Sequence, residues 1–174
     1  MTFDQKLQFW NTLGTWIAGA GTLLAVIVSL RLALRAENLQ RKADQRRNSA
    51  ELYALFASAD LERARADAAA FLRENNSKQS PLTFQEIHSN CTTATLTSVT
   101  RVIQFWEQTA VFIDAEYVDD ELTQKFLRHF FRSHYENYLA EFINVCKSRP
   151  DDSAYLHWTA VLEGLAQKWQ IFGP

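Results

Sequence analysis

A histidine and a cysteine three residues apart are the first place to look for chemistry. His88 and Cys91 would share one face of a helix, which is half of a zinc site. No further ligands follow at metal spacing. A free cysteine usually behaves as a small buried hydrophobe, so we favour core packing of Cys91 with His88 at the surface. The sequence predicts no metal site.

Two other groups carry titratable side chains. His129 and His134 flank a pair of phenylalanines and fall on different faces of a helix, which favours core packing or partner contact over catalysis. Asp119, Asp120 and Glu121 resemble a carboxylate cluster. Acids at the start of a helix are explained by capping and by the helix dipole, without a metal.

Glycine-rich phosphate loops and nucleophile motifs are absent from the sequence. The five glycines stand at positions 14, 19, 21, 164 and 173, and none belongs to a P-loop, a dinucleotide fingerprint or a nucleophile elbow. We therefore expect no enzyme activity and no cofactor.

The element that would position everything else is an uncharged stretch near the amino terminus. Leu7 to Leu30 contains no charged residue, and as a helix it would reach roughly 36 Å, against ~30 Å for a hydrocarbon core. Trp10 and Trp16 suit the headgroup level. The sequence predicts a single-pass transmembrane anchor over residues 1–30.

Two alternatives exist for this stretch. A secretory signal would have a basic leader and a shorter apolar region, unlike this sequence. A buried helix of a soluble protein is the second, because Gln8, Asn11 and several threonines dilute the first half. The segment from Leu23 to Leu30, apolar on nearly every face, favours the membrane.

A cluster of cations follows the uncharged stretch. Positive flanks stay on the cytoplasmic side, so we expect the amino terminus outside and the remaining chain in the cytoplasm of a bacterial inner membrane. These cations would also contact anionic lipid headgroups, although topology alone explains them. They are Arg31, Arg35, Arg41, Lys42, Arg46 and Arg47.

Residues 31–75 predict a basic juxtamembrane helix, which is free of proline and glycine and rich in helix formers. Small residues recur every seven positions from Thr15 onward, through the uncharged stretch and into the basic helix. A second series lies three residues further on and consists of Ala18, Ala25, Leu32 and Leu39. Such spacing favours close parallel self-association, whereas an alanine-rich segment would show some of it without any seam. The predicted oligomerisation seam is Thr15, Ala18, Thr22, Ala25, Ser29, Ala36 and Ala43.

Residues 76–174 predict a cytoplasmic helical domain. A polar loop over Asn75 to Pro81 precedes a capping box at Thr83 and Glu86. The long helix that follows has a β-branched centre, where a strand or a break is the alternative. A later helix places aromatic residues on one face, and a last helix starts after the sequence PDDS. The predicted fold is all-α: a transmembrane helix that continues into a bundle of about four helices. The aromatic face comprises Phe126, Phe130, Tyr135, Tyr138, Phe142 and Cys146.

Charge and cysteine content limit the partners. From Asn48 onward 11 Lys and Arg residues stand against 17 Asp and Glu, a net charge of −6 that does not favour nucleic acid. Two distant cysteines would stay reduced in a cytoplasm and build no disulfide framework.

The block from Val102 to Leu127 resembles an uncharacterised bacterial family with one amino-terminal membrane helix and a cytoplasmic all-helical domain. The resemblance rests on Phe105-Trp106-Glu107, on the acidic turn from Val118 to Glu121, and on a later turn at Ser148, Arg149 and Pro150. It implies no catalytic residues. A half-buried Glu107 would need a buried tryptophan or arginine as its partner.

Two functional classes fit these expectations. The first is a membrane-anchored, self-associating interaction or regulatory protein that binds a cytoplasmic protein. The second is a membrane effector of the toxin or phage-defence kind, in which the hydroxyl-lined face of Thr15, Thr22 and Ser29 turns toward a pore. We favour the first, because the ionisable residues typical of a conducting path are missing from the uncharged stretch.

Overall fold

The computed structural model describes residues 3–149 and 157–171, and within the first helix it describes no side chains for residues 4–7 and 9–20. All regular elements in these ranges are helical, which confirms the all-α prediction. A π turn, Tyr135–Leu139, joins α5 to α6 without a break. The helices are α1 (Phe3–Phe56), α2 (Ala59–Asn76), α3 (Phe84–Asn90), α4 (Thr93–Asp114), α5 (Asp120–His134), α6 (Ala140–Lys147) and α7 (His157–Lys168).

The chain divides into two compact units, residues 1–43 and residues 44–174. In the first unit the described structure is the α1 helix. The second unit begins within α1 and contains all the later helices, packed as a bundle.

The prediction of an amino-terminal transmembrane helix is wrong. Among the described residues, no helix combines the length and the apolar character that a membrane crossing requires. The densest apolar run of the sequence, from Leu23 to Leu30, would span only about 12 Å of a ~30 Å hydrocarbon core before Arg31 ends it. In the sequence before that run, Gln8, Asn11 and the threonines make the stretch uncharged without making it uniformly apolar.

Helix α1 continues through the cationic residues that follow Leu30. It extends over 54 residues, because the sequence from Arg31 onward has neither proline nor glycine and is dominated by good helix formers. The helix ends at Phe56. Ser58 then caps α2, where its hydroxyl accepts the Leu61 backbone N–H.

The bundle core of the second unit is built from aromatic side chains. Helices α2 and α4 make the most extensive pairing, and α7 packs on α4. The rings of Trp106 and Phe131 lie 4.9 Å apart by centroids, and Phe131 meets Trp169 edge to face at 5.7 Å. These three side chains are fully buried, as are Tyr138 and Phe142, so large rings fill most of the centre.

Polar side chains near the end of α1 fasten it to the turn between α4 and α5. The side-chain amides of Gln45 and Asn48 donate to the carbonyls of Glu116 and Tyr117, at 2.8 and 2.9 Å. Glu116 adopts a positive φ of 52°. These two bonds supply donors to carbonyl groups in a strained turn, where the backbone hydrogen bonds of an α-helix do not continue.

Helix boundaries follow the sequence signals closely between residues 83 and 123. The capping box of Thr83 and Glu86 forms as predicted, with both reciprocal hydrogen bonds present. The long helix predicted after it is divided at Cys91, where the sequence had left a break possible, and Thr92 caps α4. Asp119 accepts the Leu122 N–H as the cap of α5, which confirms the capping interpretation.

Candidate functional site

The most unusual surface in the first unit is the exposed aliphatic surface of α1. Nine large aliphatic side chains between Leu23 and Leu39 have 46–66 % of their surface exposed. Isolated exposed leucines are common, but a contiguous apolar surface is a mark of an interaction site. The described part of α1 in this unit is therefore the leading candidate site.

The spacing of small and aliphatic residues gives this surface a preferred line of contact. When Thr22 is placed at position a of a heptad, Ser29, Ala36 and Ala43 also occupy position a. Position d is then occupied by Ala25, Leu32 and Leu39. No charged residue occupies an a or d position between residues 22 and 43. Five charges do occur in this range, all at other positions: Arg31, Arg35, Glu37, Arg41 and Lys42.

The structure describes five of the seven predicted seam residues. Thr22, Ala25, Ser29, Ala36 and Ala43 are all exposed on the helix surface. Thr15 and Ala18 lie outside the described side chains. A seam between two chains requires that its residues be exposed, but exposure does not test the contact, so the seam stays a prediction.

The six cations predicted to contact lipid headgroups fall in both units. Arg31, Arg35 and Lys42 line a shallow groove of about 340 Å³ along α1. In the second unit, Arg46 lies 3.6 Å from the carboxylate of Asp119, and Arg47 pairs with Glu51 at 2.9 Å. Arg41 is exposed. Headgroup contact by these residues stays a prediction.

A second unusual feature lies inside the bundle, between α2 and the π turn. The indole N–H of Trp106 donates to Nδ1 of His134 at 3.2 Å. The guanidinium of Arg65 lies 3.7 Å from the centre of the Phe56 ring, and the rings of His134 and Tyr138 lie 5.5 Å apart. The Arg65 Nε and the Tyr138 hydroxyl are buried without a hydrogen-bond partner. Such groups are rare in folded proteins.

The titration behaviour of this cluster reflects its burial and its positive charge. Burial, with smaller contributions from Arg65 and Arg73, lowers the pKa of His134 to about 4, so the ring is neutral at pH 7. Burial raises the pKa of the Tyr138 hydroxyl well above its ordinary value, although the same two arginines oppose the rise. Burial also lowers the pKa of Arg65, with Glu62 opposing.

With the geometry in place, comparison with known proteins gives a family. A family model described as a domain of unknown function, DUF4760, matches residues 10–169, which is most of the chain. The chain belongs to the DUF4760 family. No curated protein and no solved structure matches it. The expected membership of an uncharacterised family is confirmed, whereas the membrane character expected with it is not supported.

The other residues singled out for chemistry are dispersed in the DUF4760 domain. His88 is exposed and Cys91 packs partly buried against the core, as expected from the sequence. His129 is exposed on α5, and in the described ranges no three metal-ligating side chains gather. Glu107 lies 3.3 Å from His157, and not against a buried tryptophan or arginine as predicted.

Sequence reasoning missed the Arg65–Tyr138 cluster of the DUF4760 domain. In the sequence, Arg65 is one of many helix-forming residues between positions 31 and 75, and Tyr138 belongs to the predicted aromatic face. A tyrosine four residues after a histidine, on an aromatic helix, was the one available signal. It gave no indication of which arginine would face it.

Proposed function

We propose that this DUF4760 protein is a self-associating helical interaction protein, in which α1 pairs in parallel with α1 of a second copy. The exposed aliphatic surface from Leu23 to Leu39 is the observation that carries the proposal. The helical domain of the second unit would then be presented in two copies to a protein partner.

The first support is energetic. Fully burying one leucine gains about 1.5–3 kcal/mol relative to leaving it in water, so two chains that cover Leu32 and Leu39 together gain several such contributions. Association must also offset the lost translational and rotational freedom of the chains.

The second support is the distribution of charge along α1. A seam that excludes charge from every a and d position between residues 22 and 43 places no charged group in the desolvated interface. The cations at Arg35 and Lys42 fall at flanking g positions, where their aliphatic stems extend the apolar contact and their charges stay in water.

The third support is the absence of a catalytic arrangement in the described residues. Asp119 caps α5, Glu107 lies beside His157, and Cys91 and Cys146 pack in or against the core. A protein that acts through surfaces is the better fit. The acidic balance from Asn48 onward favours a protein partner over nucleic acid.

Cysteine crosslinking tests the pairing and its direction. In a Cys91→Ala background, a cysteine at Ala36 or Ser29 should form a disulfide with its own copy, because a positions face each other in a parallel pair. Leu34→Cys, at an f position on the opposite side, is the matched control and should form no disulfide between copies. Equal crosslinking at positions 34 and 36 would indicate random collision, and no crosslinking at 29 and 36 would refute a parallel seam.

A further inference from the structure

The buried cluster between α2 and the π turn contains more hydrogen-bond donors than acceptors, and its one unpartnered amide oxygen is Oδ1 of Asn76. The Arg65 Nε–H and the Tyr138 O–H have no partner. Because His134 accepts the Trp106 indole at Nδ1, its neutral ring must carry its proton on Nε2, which makes a third donor. A cluster in which donors outnumber acceptors is complementary to an anion.

The charge of the cluster agrees with this chemistry. Arg65 and Arg73 are eight residues apart on α2, and both act electrostatically on His134 and Tyr138. In the described ranges neither guanidinium forms an ion pair with a carboxylate, although Glu62 lies close enough to influence Arg65. The surroundings of Tyr138 are therefore positive and partly desolvated, which strengthens attraction for a negative ligand.

The π turn gives the cluster its shape. In the segment Tyr135–Leu139 each backbone hydrogen bond encloses one more residue than in an α-helix. The Tyr138 ring lies beside His134, and the guanidinium carbon of Arg73 lies 5.9 Å from the centre of the Tyr138 ring. Asn76 ties α2 to this turn, with Nδ2 donating to the Tyr138 carbonyl at 3.0 Å, and its buried Oδ1 has no partner. π turns inserted in α-helices are frequent at functional sites.

A buried unpartnered hydroxyl destabilises a fold, and phenylalanine would fill the same space without that penalty. The chain nevertheless has tyrosine at position 138, at 1 % exposure, with its hydroxyl facing no acceptor. A ligand that accepts from this hydroxyl in the bound state would account for the residue.

We propose that Arg65, Tyr138 and His134, flanked by Arg73, form a binding site for a phosphate-type oxyanion. The Arg65 Nε and the Tyr138 hydroxyl are covered in the structure. The anion reaches them when the half-buried side chain of Arg65 moves from Phe56, and it enters on the side of the exposed Arg73. This site does not depend on self-association through α1.

Calorimetric titration of the full chain with inorganic phosphate, at constant ionic strength set with chloride, tests the site. We expect saturable binding, weakened roughly ten- to a hundredfold by Arg65→Gln and roughly tenfold by Tyr138→Phe. Arg63→Gln, an exposed arginine two residues away, is the matched control and should bind as the parent does. Circular dichroism verifies that each variant is folded.

A parallel titration with adenosine monophosphate separates the two sources of the phosphate group. Tighter binding of the nucleotide assigns the site to a phosphorylated small molecule, and equal or weaker binding assigns it to the free ion. If neither probe shows saturable binding, the proposal is overturned, and a buried water is the remaining acceptor for these donors. Equal binding by the Arg65→Gln and Arg63→Gln variants would overturn it as well.

Discussion

The hydroxyl of Ser49 on α1 accepts a hydrogen bond from the hydroxyl of Thr123 on α5, with 3.0 Å between the two oxygens, although the residues are 74 positions apart in the chain. Ser49 also accepts the backbone N–H of Asp119 at 2.9 Å and donates to the Gln45 carbonyl at 3.0 Å. Both hydroxyl side chains are buried. This small network fixes the carboxyl-terminal part of α1 in the bundle.

Replacing Ser49 by alanine should therefore destabilise the bundle. The change leaves the Thr123 hydroxyl buried without an acceptor, and we expect a loss of about 1–3 kcal/mol in the free energy of unfolding. Urea denaturation measures it, with the exposed Ser89→Ala as control. In a double-mutant cycle, Thr123→Val should cost much less in the Ser49→Ala background than in the parent. Additive losses would contradict the coupling.

Phe56, the last residue of α1, should be among the most sensitive core positions. Its ring is 2 % exposed, lies 4.9 Å from Phe130 and 5.3 Å from Phe105, and carries the Arg65 guanidinium on its face. Phe56→Ala should lower the free energy of unfolding by about 3–5 kcal/mol. Phe126→Ala, one third exposed on α5, is the control and should lose clearly less. Similar losses in chemical denaturation would show that Phe56 is not a core anchor.

The stability of the bundle should fall in mild acid because of His134. Its pKa is lowered to about 4 in the folded chain, against an ordinary value of 6.5, so the unfolded chain binds the additional proton. The stability is intact above pH 6.5 and decreases as the pH falls toward 4, by at most about 3 kcal/mol. Below that window His134 contributes no further slope.

The His134 contribution is measured by comparing pH profiles of stability. His134→Asn keeps an acceptor near Nδ1 for Trp106 and should flatten the profile between pH 4 and 6.5, whatever its effect at pH 7. His129→Gln changes an exposed histidine and should leave the slope as it is in the parent. A slope unchanged in His134→Asn would mean that carboxylates alone cause the acid sensitivity.

Tyr138→Phe should leave the bundle as stable as the parent, or more stable by about 1 kcal/mol, in buffer without phosphate. The substitution removes a buried hydroxyl that has no partner, and so removes its desolvation penalty. Tyr117→Phe, at an exposed tyrosine, should change stability by less than about 0.5 kcal/mol. A loss of more than 1 kcal/mol in Tyr138→Phe, measured by thermal unfolding, would show that the hydroxyl is satisfied in solution.

The sequence contained enough to predict the helical class and several helix ends, because these depend on local chemistry. The capping residues Thr83 and Asp119 and the break beside Cys91 all arise from hydrogen bonds within four residues. The π turn was not predictable in this way. The predicted buried face of α5 was also wrong by one residue: Phe126 and Phe130 are partly exposed, whereas Leu127 and Phe131 are buried.

Features that join distant segments were also beyond sequence reasoning. The bonds from Gln45, Asn48 and Ser49 to the α4–α5 turn connect residues about 70 positions apart, and nothing in either segment signals the other. The transmembrane prediction failed for a different reason. It relied on the absence of charge over 24 residues, and that is a weaker condition than a continuous apolar length.

Paired leucine variants of α1 test self-association most directly. Leu32 and Leu39 occupy the proposed seam, whereas Leu30 and Leu34 are similarly exposed, at 59 % and 52 %, on other faces of the same helix. Sedimentation equilibrium of the full chain should show a self-associated parent, a Leu32→Glu/Leu39→Glu variant shifted to monomer, and a Leu30→Glu/Leu34→Glu variant that associates like the parent. A monomeric parent, or equal dissociation of both variants, would contradict the seam.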